Sequence, residues 1–108
     1  MRVKKVKIGI LGGSFDPAHK GHIAISKEAT KRFELNKVIW AITKKNPFKK
    51  KSSKSLSVRI EKCEKITKKI NFIKVKFYED KIKSNKTIDL INYFTKFKNN
   101  EIYFLMGA

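Results

Sequence analysis

The chain has 108 residues, enough for one domain with a core of its own and too few for two. Its apolar share of 41% belongs to a folding sequence, not a disordered one, while 27 Lys+Arg against 9 Asp+Glu leave a formal charge of +18. A single cysteine, Cys63, excludes an intramolecular disulfide, and no apolar run is long enough for a signal peptide or a membrane span, so a cytoplasmic protein is expected.

In chain order, residues 6–11 read as a buried parallel strand that ends at Gly12 and Gly13. A helix is expected from His19 to about Phe33, with His22, Ile25, Ala29 and Phe33 on its inner face. The apolar run inside 37–43 is a second strand, and 44–55 is a polar loop in which Pro47 biases Asn46 toward extended geometry. A second helix begins at Leu56, capped by Ser55 or Ser57, with Leu56, Ile60, Cys63, Ile66 and Ile70 inward. Residues 72–78 alternate with lysines as a third strand. A third helix runs from Thr87 to about Phe97 with Ile88, Ile91 and Phe94 inward, and 101–106 form a fourth strand before Gly107.

Strands alternating with helices imply an α/β parallel sheet with about four strands and three helices. Ligands of such sheets bind at the carboxyl ends of the strands. Gly12, Gly13, Ser14, Phe15, Asp16, His19, Gly21 and His22 all lie just after the first strand. Small residues there admit close backbone approach, a helix N-terminus offers N–H groups to an anion, and two histidines three apart share one face of its first turn. The guest this suits is a phosphate. Asn46, Thr87 and Gly107 follow on the same rim.

The large positive charge alone suggests a polyanion partner. Arg2, Arg32 and Arg59 are the only arginines, however, and lysines are scattered with many Ile and Asn residues. That pattern reads as the amino-acid bias of an AT-rich genome, giving a solvated lysine surface and no specific nucleic-acid site.

The run Gly12-Gly13-Ser14-Phe15-Asp16-Pro17 with His19-Lys20-Gly21-His22 resembles the signature of the nucleotidyltransferases that carry an HxGH motif. Within that superfamily the chain is most similar to bacterial nicotinate-nucleotide adenylyltransferases. Trp40 to Thr43, Asn46-Pro47-Phe48-Lys49, Thr87-Ile88-Asp89 and Leu105 to Ala108 extend the likeness along nearly the whole chain. The resemblance implies a Rossmann-like fold, of which 1–108 is the N-terminal nucleotide-binding portion, and transfer of an adenylyl group from ATP, accompanied by Mg²⁺, to nicotinate mononucleotide.

It further implies that His19 and His22 are catalytic, and that Gly12, Gly13, Ser14, Phe15, Gly21 and Gly107 join them around ATP. Asn46, Lys49 and Thr87 would meet the acceptor, with Asp16, Arg59 and Asp89 in support and no metal-ligand set. Lys86 departs from the tyrosine usual in the family, and the chain stops before the family's aspartate and triphosphate-gripping helix. The 108-residue chain alone is therefore expected to have little or no activity, as a fragment or the product of an interrupted gene. Other acceptors of the same superfamily (nicotinamide mononucleotide, phosphopantetheine), a basic nucleic-acid-binding module and a homo-oligomer stay open at this point.

Overall fold

The computed structural model describes residues 5–15, 18–44, 55–84, 87–96 and 99–105. Four parallel strands, β1 (Val6–Gly13), β2 (Lys37–Ile42), β3 (Ile73–Lys76) and β4 (Asn100–Leu105), form one sheet in the order β3-β2-β1-β4. β1 and β2 are the interior strands, and their continuous apolar sequences follow from burial on both faces. The chain steps outward from β1 through β2 to β3, then returns to place β4 on the other side of β1. That reversal opens a crevice at the carboxyl end of β1, where open α/β sheets bind their ligands.

The pleat divides the interior in two. Leu11, Val38, Trp40 and Ile42 face the side covered by α1 (Lys20–Phe33) and α2 (Leu56–Thr67), together with Ala29 and Cys63. Ile8, Ile10, Ile39 and Ala41 face the other side, with Phe94 of α4 (Thr87–Thr95). The expected α/β architecture is therefore the observed one.

Several details differ from the sequence reading. The third strand is shorter than 72–78, and the chain turns after Lys76 into a one-turn helix, α3 (Glu79–Ile82), making four helices among the described residues. So short a segment has no periodicity to reveal it; tertiary contacts of Tyr78 with Tyr93 and Phe94 hold it. Ile66, Ile88 and Phe33 are exposed, not inward. In α4 the inner stripe runs through Leu90 and Phe94, four residues apart, which turns Ile88 outward to 59% exposure. In α2 the buried stripe is Arg59, Cys63 and Thr67, so Ile66 lies beside it. Phe33 ends α1 and stacks its ring on Tyr103 at 5.2 Å. Cys63 is fully buried, as a small core residue should be, and burial pushes its thiol up to about 11.

Candidate active site at the carboxyl end of β1

β1 ends in Gly12 and Gly13, and Phe15 two residues later carries the left-handed backbone, with φ 52°. For a bulky side chain that conformation costs roughly 1–3 kcal/mol. Packing offsets it: the Phe15 ring is 3% exposed, stacks on Trp40 at 4.9 Å and lies 4.5 Å from the imidazole of His22. The side chain of Phe15 is thus a platform beneath His22.

His19 is the N-cap of α1, and His22 stands at the third helical position. The N–H of Gly21 donates to His19 Nδ1 at 3.0 Å, and the N–H of His19 donates to His22 Nδ1 at 3.1 Å. This is a capping box in which two imidazoles replace the usual hydroxyl and carboxylate. The rings lie 4.0 Å apart. An Nδ1 that accepts a hydrogen bond holds no proton, so the proton of each ring sits on Nε2, at the far edge from the helix end.

Two consequences revise the sequence reading. The amides of Gly21 and His22 are already bonded, to the His19 ring and to the His19 carbonyl (3.0 Å) respectively, so these two N–H groups of the helix end are not open to an anion. And burial foremost, then the neighbouring His19, lowers the pKa of His22 below its ordinary 6.5 against the opposing hydrogen bond from the His19 backbone, so the neutral form of the His22 ring is favoured.

The glycine between the histidines has a steric cause. A Cβ on Gly21 would stand 2.7 Å from His19 Cε1 and 2.9 Å from its Nδ1, so only glycine lets the His19 ring fold over the first turn. Beneath this turn, Trp40 Nε1–H donates to Ser26 Oγ at 2.9 Å, and Ser26 Oγ–H donates to the His22 carbonyl at 2.9 Å. Ser26 and Trp40 are fully buried. This polar link ties α1 to β2, and sequence reasoning missed Ser26 because a serine among inward positions looks like solvent-facing helix.

Arg59, 4% exposed, reaches from α2 to three backbone carbonyls: Ser14 (2.9 Å) and Thr43 (2.6 Å) through one terminal nitrogen, Lys44 (2.6 Å) through the other. Its planar fork locks the end of β2 to the loop after β1. The supporting role expected of Arg59 is thus given a geometry. Asp89 lies in the first turn of α4 and accepts from Ser84 Oγ at 2.5 Å, a structural use. Asp16, Asn46, Lys49, Lys86, Gly107 and the side chain of Thr87 lie outside the described residues. The backbone of Thr87 begins α4, as expected of a helix start.

On the other side of Gly12 and Gly13 a cleft of about 270 Å³ opens at the same sheet end. Ala41, Ile42 and Phe104 give it an apolar floor, and Tyr78, Glu79, Ile82, Ser84 and Leu90 wall it. No group of three or more His, Cys, Asp or Glu suited to a metal occurs among the described residues. Among the same residues no helix is long and apolar enough to cross a membrane.

A doubly wound sheet with two histidines paired at the end of its first strand and a cleft beside them is the architecture of a Rossmann-like nucleotide-binding protein. More narrowly, the chain belongs to the cytidylyltransferase-like family, whose model matches residues 10–108. It is 67% identical over 105 residues to a protein of Pelagibacter ubique named "Probable nicotinate-nucleotide adenylyltransferase", an alignment covering 97% of this chain and 58% of that protein. A protein of the same name from Aliarcobacter butzleri is 36% identical over 104 residues, covering 94% of this chain and 57% of the relative. The chain thus spans somewhat more than half the length of these relatives. Among solved structures, Plasmodium falciparum nicotinic acid mononucleotide adenylyltransferase complexed with NaAD shares the fold with a TM-score of 0.71 at 21% identity, over 92% of this chain and 50% of that one. The same enzyme complexed with APC gives a TM-score of 0.72 over 92% of this chain and 49% of that one.

Proposed function

We propose that this chain provides the ATP-facing half of a nucleotidyltransferase site that adenylates nicotinate mononucleotide, giving nicotinate adenine dinucleotide and pyrophosphate. The observation that carries the proposal is the reciprocal His19–His22 cap, which presents two Nε2–H donors at the carboxyl end of β1. The names of the relatives support the choice of acceptor.

In the reaction a phosphate oxygen of the mononucleotide forms a bond to the α-phosphorus of ATP while the bond from that phosphorus to the bridging oxygen breaks. Pyrophosphate leaves with the electron pair. A phosphate is already anionic at neutral pH, so no general base is required. What remains for the protein is to bring two polyanions together and to donate hydrogen bonds to the charge on the phosphoryl oxygens. His19 and His22 do this through Nε2–H, and a platform of Phe15 on Trp40 fixes the His22 ring. Magnesium enters with ATP as part of the substrate and neutralises the triphosphate.

Gly12, Gly13, Ser14 and Phe15 line the backbone side of the ATP site in this reading, with Gly107 admitting the adenosine. The apolar cleft beyond Gly12 receives the pyridine ring of the acceptor. Asn46, Lys49 and Thr87 belong to the acceptor side; Asp16, Arg59 and Asp89 support the scaffold. A cytoplasmic setting accords with the free, buried Cys63.

Calorimetric titration of the chain with MgATP, and separately with nicotinate mononucleotide, nicotinamide mononucleotide and phosphopantetheine, tests the assignment. Binding of MgATP and preference for nicotinate mononucleotide are expected. Preference for phosphopantetheine, or duplex DNA binding without MgATP binding, would overturn it.

A further inference from the structure

The peptide joining Thr43 and Lys44, at the rim of the apolar cleft, is gripped from two elements that are far apart in sequence. From α2, Arg59 donates to the carbonyls of Thr43 (2.6 Å) and Lys44 (2.6 Å). From α3, Glu79 Oε1 accepts the N–H of Lys44 at 2.8 Å. The N–H of Thr43 in turn donates to the carbonyl of Gly13 at 2.9 Å, which references this peptide to the end of β1. Thr43 and Glu79 both line the cleft. We infer that Glu79 is a positioning residue that, opposite Arg59, fixes the Thr43–Lys44 peptide as a wall of the cleft and so sets the affinity for the acceptor nucleotide, an inference that rests on the function proposed above.

The chemistry favours a specific role over general stabilisation. A carboxylate on a backbone N–H is a charge-assisted hydrogen bond, among the stronger restraints available to a chain segment. With cationic Arg59 on the carbonyls and anionic Glu79 on the amide, the peptide dipole is held at both ends and cannot rotate without breaking bonds on each side. α3 is a single turn with no buried residue, held by this bond, by the Lys44–Asp80 ion pair at 4.0 Å and by its packing on α4, where Tyr78 meets Tyr93 and Phe94. The ATP side of the crevice, at His19 and His22, takes no bond from Glu79, so the effect of removing it falls on the acceptor.

Glu79→Ala and Glu79→Gln test this by calorimetry with nicotinate mononucleotide and with MgATP, alongside amide exchange at Lys44. The alanine variant should bind the mononucleotide roughly tenfold more weakly, with MgATP affinity held within about twofold, and should exchange the Lys44 amide faster. Glutamine keeps an acceptor oxygen at the same reach and should restore both acceptor affinity and amide protection. If Glu79→Ala loses the Lys44 protection yet binds the mononucleotide normally, if it weakens MgATP equally, or if Glu79→Gln is as damaging as alanine, the inference is wrong. A wild-type chain that binds MgATP and no mononucleotide overturns the functional reading, and this inference with it, before any variant is compared.

Discussion

Replacing Gly21 with alanine separates the role of the histidine cap from the stability of the fold. The added Cβ would lie 2.7 Å from His19 Cε1, closer than real Cβ contacts, and the helix backbone beneath it cannot retreat. The imidazole must swing away, releasing the Gly21 amide and undoing the N-cap. Losing a cap costs about 1 kcal/mol, whereas alanine is favoured over glycine within a helix by up to about 1 kcal/mol. The two nearly cancel, so the melting temperature should shift by no more than about 5 °C. Phosphate binding has no such compensation. One hydrogen bond to a charged group is worth about 1.5–3 kcal/mol, so affinity for MgATP should fall roughly tenfold to a hundredfold. Calorimetry with MgATP, and with adenosine as the phosphate-free control, measures this beside thermal unfolding. A folded Gly21→Ala chain with wild-type affinity for MgATP would refute the reasoning.

Three further outcomes follow from the same geometry. The lowered pKa of His22 means that the fold prefers the neutral ring, so the unfolded chain binds more protons just below the ordinary value of 6.5. Stability contributed by His22 is therefore complete above 6.5 and declines as pH falls through its folded pKa; the difference in melting temperature between wild type and His22→Gln should shrink on acidification, and a difference that grows would contradict it. Ser26→Ala strands the Trp40 N–H in the core and should destabilise by about 1–3 kcal/mol in urea denaturation, despite alanine's better helix propensity; a neutral result would show the Trp40–Ser26–His22 link to be dispensable. Duplex DNA should bind weakly and lose affinity by orders of magnitude between roughly 50 and 200 mM salt, as a diffuse lysine surface does, and sequence-selective binding that survives would contradict the solvated-surface reading.

The architecture was legible because its signals were long and redundant: apolar runs for β1 and β2, a serine cap before α2, glycines where β1 ends. The sequence showed that the two histidines share the first turn of α1, but not that they cap each other, since N-cap rules favour Ser, Thr, Asp and Asn. Nor did their spacing disclose that Gly21 is there to admit the His19 ring. Ser26, Glu79 and the three-carbonyl grip of Arg59 depend on which elements meet in space. No local pattern encodes that Glu79 in a one-turn helix will meet the amide of Lys44. The inward assignments of Ile66, Ile88 and Phe33 failed for a related reason, because periodicity gives a face only to within the width of an apolar stripe, and the buried stripe of α2 includes an arginine and a threonine.

Nitrogen NMR of the chain with ¹⁵N-labelled histidine reads the central claim directly, because protonated and unprotonated ring nitrogens are resolved. Both His19 and His22 should show an unprotonated Nδ1 and a protonated Nε2 at neutral pH, and MgATP should shift the Nε2 signals while adenosine leaves them in place. Protons found on Nδ1, or Nε2 signals indifferent to MgATP, would contradict the account of two imidazoles that cap a helix through Nδ1 and meet a nucleotide's phosphates through Nε2.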